Sequence, residues 1–105
     1  MPEVVCQYSA PLRRRPNGVF TCLMPAGALI LSVQMWDRKP QIWALVDPDS
    51  PKENHIFRWV ETGQPLPNIS LDYIGTVQLA PPDAPLAFHL FAETPPPPRQ
   101  GVLSW

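Results

Sequence analysis

The chain has 105 residues, a net charge of −1, 45% hydrophobic and 16% charged residues, and two cysteines. That length gives one domain able to bury roughly 65% of its unfolded surface, so it needs no staples. The near-neutral charge gives no strong field toward nucleic acid or anionic membrane, two cysteines are too few for a disulfide scaffold or a zinc site, and the longest apolar run, Ala26 to Leu31, falls far short of the about 20 residues that span a bilayer.

The sixteen prolines stand as fences between apolar stretches of strand length. Proline fixes φ and lacks an N–H, so it is excluded from helix interiors and central strand positions. Seven extended segments lie between the fences. Glu3–Ser9 alternates Val4, Cys6 and Tyr8. Arg13 to Asn17 with Gly18 has the composition of a hairpin loop and leads into Val19–Met24, which alternates Phe20, Cys22 and Met24. A hairpin there sets Cys6 opposite Cys22, as two small apolar residues in reduced form. Ala28–Trp36 places Leu29, Leu31, Val33 and Met35 on one face and Ile30, Ser32, Gln34 and Trp36 on the other. Asp37 to Pro40 is the expected loop into Gln41–Asp47. The hydrophilic stretch Pro48–Asn54, with room for a short helical turn, precedes His55–Thr62. Leu71–Leu79 and Leu86–Ala92 complete the set.

Strands at this spacing predict an all-β fold, a small antiparallel β-sandwich or barrel of about seven strands spanning residues 1–92. The expected core is Leu29, Leu31, Val33, Tyr73, Val77, Leu86, Phe88 and Leu90. Residues 93–105 read as a proline-rich tail: Pro95–Pro98 favours a stiff polyproline II spacer, followed by the apolar Val102, Leu103 and Trp105. A peptide beyond such a spacer suits docking on a second copy, which gives the expectation of a homodimer through the tail.

Catalytic chemistry is not legible. His55 and His89 lack a Cys, Ser or carboxylate at a telling spacing, Asp47, Asp49 and Glu53 lack the glycine and spacing of a calcium loop, and no glycine-rich phosphate loop is present. The chain is therefore expected to be no enzyme, with no catalytic residue, metal or cofactor. Arg13-Arg14-Arg15 is a local basic run in the first loop, read mainly as solvated. The candidate binding residues are Trp36 and Trp43, which meet on one face with Ile30 and Leu45, then Arg58, the rigid loop Thr62, Gly63 and Gln64 onward to Asn68, and Trp105.

The text from Met24-Pro25-Ala26-Gly27 through Leu29–Gln34, Ile42–Pro48, Phe57-Arg58, Thr62-Gly63 with Pro65 and Pro67, Tyr73–Val77 and Phe88–Phe91 resembles a family of small proteins encoded by bacteriophages and prophages, generally labelled a domain of unknown function. The chain departs from it at Glu61 and Gln64, where the family usually carries Gly and often His. The resemblance implies a small β domain working in the cytoplasm of the bacterial host, and no reaction. The leading expectation is a non-enzymatic binding protein that occupies a host protein, a component of antiviral defence. The alternatives are a sequestering module in which Arg58, Trp43 and the Thr62–Asn68 loop take a nucleotide-like small molecule at a subunit interface, and an accessory virion protein.

Overall fold

The computed structural model describes residues 2–12, 17–79 and 86–94. The Arg13–Arg15 run and the tail residues Pro95–Trp105 lie outside the described residues. Seven strands follow in order: β1 Val4–Ser9, β2 Val19–Pro25, β3 Leu29–Trp36, β4 Lys39–Val46, β5 Lys52–Glu61, β6 Leu71–Leu79 and β7 Leu86–Glu93. They form two antiparallel sheets: sheet A in the order β1-β4-β3 and sheet B in the order β2-β5-β7-β6. The fold is the all-β, sandwich-like arrangement the spacing implied, and no helix occurs among the described residues.

The inner faces alternate as a two-sheet core requires. Ile42, Ala44 and Val46 of β4 point inward from sheet A, and Phe57 and Trp59 of β5 with Phe88 and Leu90 of β7 point inward from sheet B. Phe20 stacks against Phe57 at 5.4 Å and Trp59 at 6.4 Å between ring centroids. The buried Trp59 indole N–H donates to the Pro11 carbonyl at 2.9 Å, and its main-chain N–H donates to the Gly18 carbonyl at 2.9 Å. Both ends of the β1–β2 connection are thus tied to β5.

That connection differs from the expected hairpin. β1 pairs with β4 and β2 with β5, so the chain changes sheets between them, and Cys6 sits opposite Ala44 while Cys22 sits opposite His55. The first hairpin reading fails because two adjacent strands of alternating pattern pair equally well with any strand of matching pattern, and here each gains a longer partner. Both cysteines are free thiols packed against the core. Burial raises the Cys22 thiol above its ordinary value. Tyr8 lies beside both: burial first, then the Cys6 and Cys22 thiols, raise its hydroxyl in the same direction.

Five of the eight expected core residues lie in or against the core and three do not. Val33, Val77, Phe88 and Leu90 are buried and Leu86 is partly so, whereas Leu29, Leu31 and Tyr73 are exposed. The cause is a β-bulge in each of two edge strands. In β3 the register jumps between Ile30 and Ser32, and in β6 between Tyr73 and Gly75. One extra residue reverses the parity of everything before it. Ile30 therefore turns inward with Val33 and Met35, and Leu29 turns outward on the side of Ser32, Gln34 and Trp36.

Two connections also depart from expectation. The β3–β4 turn is only Asp37-Arg38, both at positive φ (51° and 67°), so strand pairing begins at Trp36 and Lys39. The stretch after β4 is a turn and not a helix: the Ser50 N–H donates to the Asp47 carbonyl at 3.1 Å and the Asp49 N–H to the Asp47 side chain at 3.0 Å, and β5 has begun by Lys52.

The two edges meet at Gly75. A Cβ there would stand 2.9 Å from Val33 Cγ1, and Val33's own backbone oxygen is 3.7 Å away. Gly75→Ala should therefore lose about 1–3 kcal/mol by overpacking. In a Val33→Ala background, where the clashing methyl is gone, denaturant unfolding should show the same change costing less than half as much. Equal costs in the two backgrounds would remove the clash as the reason for glycine.

Candidate functional site

Each sheet has an outer face, and the residues singled out in the sequence divide between them. On sheet A the outward positions of β4 are Lys39, Gln41, Trp43 and Leu45, since Ile42, Ala44 and Val46 point inward. The register lines these up in rows. Val5, Leu45 and Leu29 form one row; Gln7, Trp43 and Ser32 form the next; Ser9, Gln41 and Gln34 form a third. Trp36 leans across the third row to meet Trp43 edge-on, with centroids 6.0 Å apart and rings at 72°. Gln7 Nε2 donates to Gln41 Oε1 at 3.3 Å beside them. Trp36 and Leu29 are each 58% exposed, Val5 56% and Leu31 47%.

The face thus runs from an apolar row through the mixed row of Trp43 to the polar row of Gln41, with no charged side chain in these three rows, and ends at the hairpin, where Asp37, Arg38 and Lys39 stand. The sequence anticipated the Trp36–Trp43 meeting and Leu45 beside it. It misassigned Ile30, which is inward, and missed Leu29 and Leu31, because the β3 bulge is not visible in the pattern.

Arg58, Thr62, Gly63 and Gln64 belong to the other side of the molecule. Arg58 projects from the outer face of β5, between the inward Phe57 and Trp59. Its guanidinium donates to the Asn17 carbonyl at 3.4 Å and pairs with Glu93 at 3.8 Å, while its Nε is buried without a hydrogen-bond partner. Trp43 and Arg58 point away from each other across the sandwich, so within one chain they line no common pocket.

The connection from Thr62 to Ser70 has a defined path. β5 ends opposite Phe88 and β6 begins opposite Glu93, so the loop returns along the length of β7. It is tied at both ends, by Thr62 N–H to the Ala87 carbonyl at 3.2 Å and Thr94 N–H to the Ser70 carbonyl at 3.1 Å. Gly63 adopts φ 92°, which side chains rarely tolerate, and Gln64 N–H donates to the Glu61 carbonyl at 3.0 Å. Gln64 itself is exposed.

The sequence reading missed a hydrogen-bonded chain on this face. His89 Nδ1 lies 2.8 Å from Thr76 Oγ1, and its Nε2 lies 2.8 Å from Thr62 Oγ1. The Thr76 hydroxyl is also bonded to the Tyr73 hydroxyl, and Tyr73 packs edge-on against Phe91 at 5.6 Å. Tyr73 and Thr76 share a face only because of the β6 bulge between them. The spacing of Thr62 and His89 is that of a hydroxyl and a base, but the ring's other nitrogen is held by a hydroxyl and not by a carboxylate that would stabilise an imidazolium. Each threonine can donate or accept, so either neutral tautomer fits. What the arrangement does is fasten the returning loop and β6 to β7. No metal-ligating cluster of His, Cys, Asp or Glu occurs among the described residues.

A family model described as Domain of unknown function (DUF7352) matches residues 1–101. The chain belongs to this family. No curated protein and no solved structure shows significant similarity to it. DUF7352 membership thus covers the whole sandwich, both outer faces and the start of the tail, and assigns no chemistry to any of them.

The contacts of Arg58 make it a clamp between the β1–β2 connection, β5 and β7. Arg58→Ala should cost about 1–2 kcal/mol in chemical denaturation, with Arg58→Met recovering more than half of the loss because it keeps the apolar stem while the long, loose ion pair contributes little. A fully stable Arg58→Ala protein would instead free this residue for a ligand.

Proposed function

We propose that this DUF7352 protein is a non-enzymatic binding protein that occludes a partner protein through the outer face of sheet A. The observation that carries the reading is the exposed Trp36 set edge-on to the half-buried Trp43, with the exposed Leu29, Leu31 and Val5 and the half-buried Leu45. Trp dominates binding hot spots, and an isolated monomer gains nothing by leaving such a row in water. The three rows hold no charged side chain, so the complementary surface combines apolar groups for Leu29, Leu45 and the tryptophans with polar groups able to meet Gln7, Gln34 and Gln41.

Three strands at about 4.8 Å spacing and eight residues at about 3.3 Å rise make a patch of a few hundred Å², below the roughly 800 Å² that each side of a standard interface buries. Neighbouring loops must therefore contribute if the complex is tight. The resemblance to phage-encoded proteins supports a bacterial host protein of the cytoplasm as the partner, and a defence component is the host target such a protein has most reason to occupy. The nucleotide-like ligand has less support, because Trp43 stands on the opposite face from Arg58 and the Thr62–Asn68 loop.

The test compares affinity capture from bacterial lysate by the wild-type chain, by Trp36→Gln with Leu29→Gln, and by Tyr73→Gln on the opposite face. A partner enriched by the wild type should fall at least tenfold with the sheet A variant and persist with Tyr73→Gln, the wild type and the sheet A variant melting within a few degrees of one another. Retention by the sheet A variant, or loss through Tyr73→Gln alone, would move the site to the other face.

A further inference from the structure

The terminal strands are β1 and β3 in sheet A and β2 and β6 in sheet B. Ala10 N–H donates to the Pro40 carbonyl, and the β1–β4 register places this pair one step beyond Ser9 and Gln41. Bonded positions alternate along an antiparallel strand, so Val4, Cys6 and Tyr8 bond to β4, and the N–H and C=O of Val5, Gln7 and Ser9 turn to the outer edge. These outward main-chain groups have no hydrogen-bond partner among the described residues. The strand Val4–Ser9 holds no charge, proline or glycine, and its register to β4 is unbroken.

The other three edges are blunted by devices that sheets use against unwanted pairing. On β2 the bond from Trp59 N–H to the Gly18 carbonyl fixes the alternation, so Val19, Thr21, Leu23 and Pro25 turn outward. Val19 N–H is taken by Asn17 Oδ1 at 3.2 Å, and Pro25 has no N–H to offer. β3 and β6 each carry a bulge, and they lie against one another where Val33 meets Gly75. Among the described residues, β1 is the edge left regular and unprotected.

Such an edge is completed by one more antiparallel strand, which must itself be regular, uncharged and unpaired on one side. β1 of a second copy meets all three conditions. We infer that two copies of the chain join β1 to β1 about a two-fold axis at Gln7. Gln7 then pairs with Gln7 of the partner subunit and Val5 with Ser9 of the partner subunit, each pair exchanging N–H to C=O bonds, so that every outward group of the strand is satisfied on both copies. Cys6 falls beside Tyr8 of the partner subunit, and both are only half-buried in the single chain. Glu3, the nearest charge, falls opposite Pro11 of the partner subunit and meets no like charge. The two A sheets become one of six strands, with both Trp36–Trp43 pairs on the same side. A single strand-to-strand seam is smaller than the roughly 1,200 Å² at which stable interfaces begin, so the dimer dissociates on dilution. The seam uses main-chain groups that the proposed recognition by sheet A does not, and it stands or falls apart from it.

The experiment uses the full chain, with light scattering for mass and amide hydrogen exchange read at single residues. The wild type should have twice the monomer mass at about 100 μM and approach the monomer at about 1 μM, with the Val5, Gln7 and Ser9 amides at least tenfold better protected at the higher concentration. Gln7→Pro should be monomeric at both concentrations. Its Ile42 and Ala44 amides, which bond to β1, should stay protected, because a proline at an outward edge position breaks no ladder bond. Val5→Lys with Ser9→Lys sets lysine opposite lysine across the two-fold and should also be monomeric. Treated with diamide, Gln7→Cys should form a covalent dimer, whereas Gln41→Cys, one strand further in on the same face, should not. A wild type that is monomeric at the higher concentration overturns the proposal, as does a dimer whose Val5, Gln7 and Ser9 amides exchange no more slowly than those of the monomer. So does a proline or lysine variant that remains dimeric, or a Gln7→Cys chain that cross-links no better than Gln41→Cys.

Discussion

The buried indole of Trp59 is the contact on which the rest of this sandwich depends. Its N–H satisfies the Pro11 carbonyl, its backbone fixes Gly18, and its ring stacks on Phe20. A chain that changes sheets between its first two strands must carry polar main-chain groups past the end of a hydrophobic core, where an unpaired carbonyl costs about 1–3 kcal/mol. Trp59 supplies the donor at that point from within the core itself. β1 is thereby released to pair with β4 in sheet A while β2 pairs with β5 in sheet B. Ala10, buried and bonded through its N–H to the Pro40 carbonyl, holds the near end of the same crossing.

With the inner faces committed to packing, the two outer faces become free to differ. On sheet B the polar outward groups bond within the molecule: the Tyr73–Thr76–His89–Thr62 chain and the Arg58 contacts fasten the long β5–β6 return and the β1–β2 connection to the sheet, while Tyr73, Leu23 and Ile56 remain exposed there. On sheet A the outward groups face water, with Trp36 and Leu29 each more than half exposed. Recognition is proposed for sheet A because its exposed apolar side chains adjoin the Trp36–Trp43 pair. Apolar side chains that are neither needed for the core nor shielded from solvent cost solubility, and a binding partner removes that cost.

Much of this fold is legible in the sequence, and the part that is not has a definite cause. The proline fences and period-2 runs locate all seven strands within a few residues, because both are local properties of the chain. Pairing is not local: Cys6 and Cys22 lie on strands of equal pattern, and only the crossing fixed by Trp59 separates them. The bulges at Leu31 and Ile74 are the second gap. Each adds one residue without leaving a mark in composition, yet each decides the side on which Leu29 or Tyr73 emerges. Of the candidate site, Trp36 and Trp43 are readable because they share a short hairpin. The His89 chain is not, since its members lie 13 and 27 residues apart and meet only through the β6–β7 register and the returning loop.

The inner face carries the fold, and the Trp36 face is the surface proposed for recognition. Chemical denaturation of Trp59→Phe and Trp36→Gln, measured side by side with the wild type, tests that division most directly. Trp59→Phe should lose about 2–4 kcal/mol, from the orphaned Pro11 carbonyl and the space left by the indole, and Trp36→Gln should change stability by no more than about 0.5 kcal/mol. Comparable losses in the two variants would contradict it, because the outer tryptophan would then be part of what holds the sandwich together.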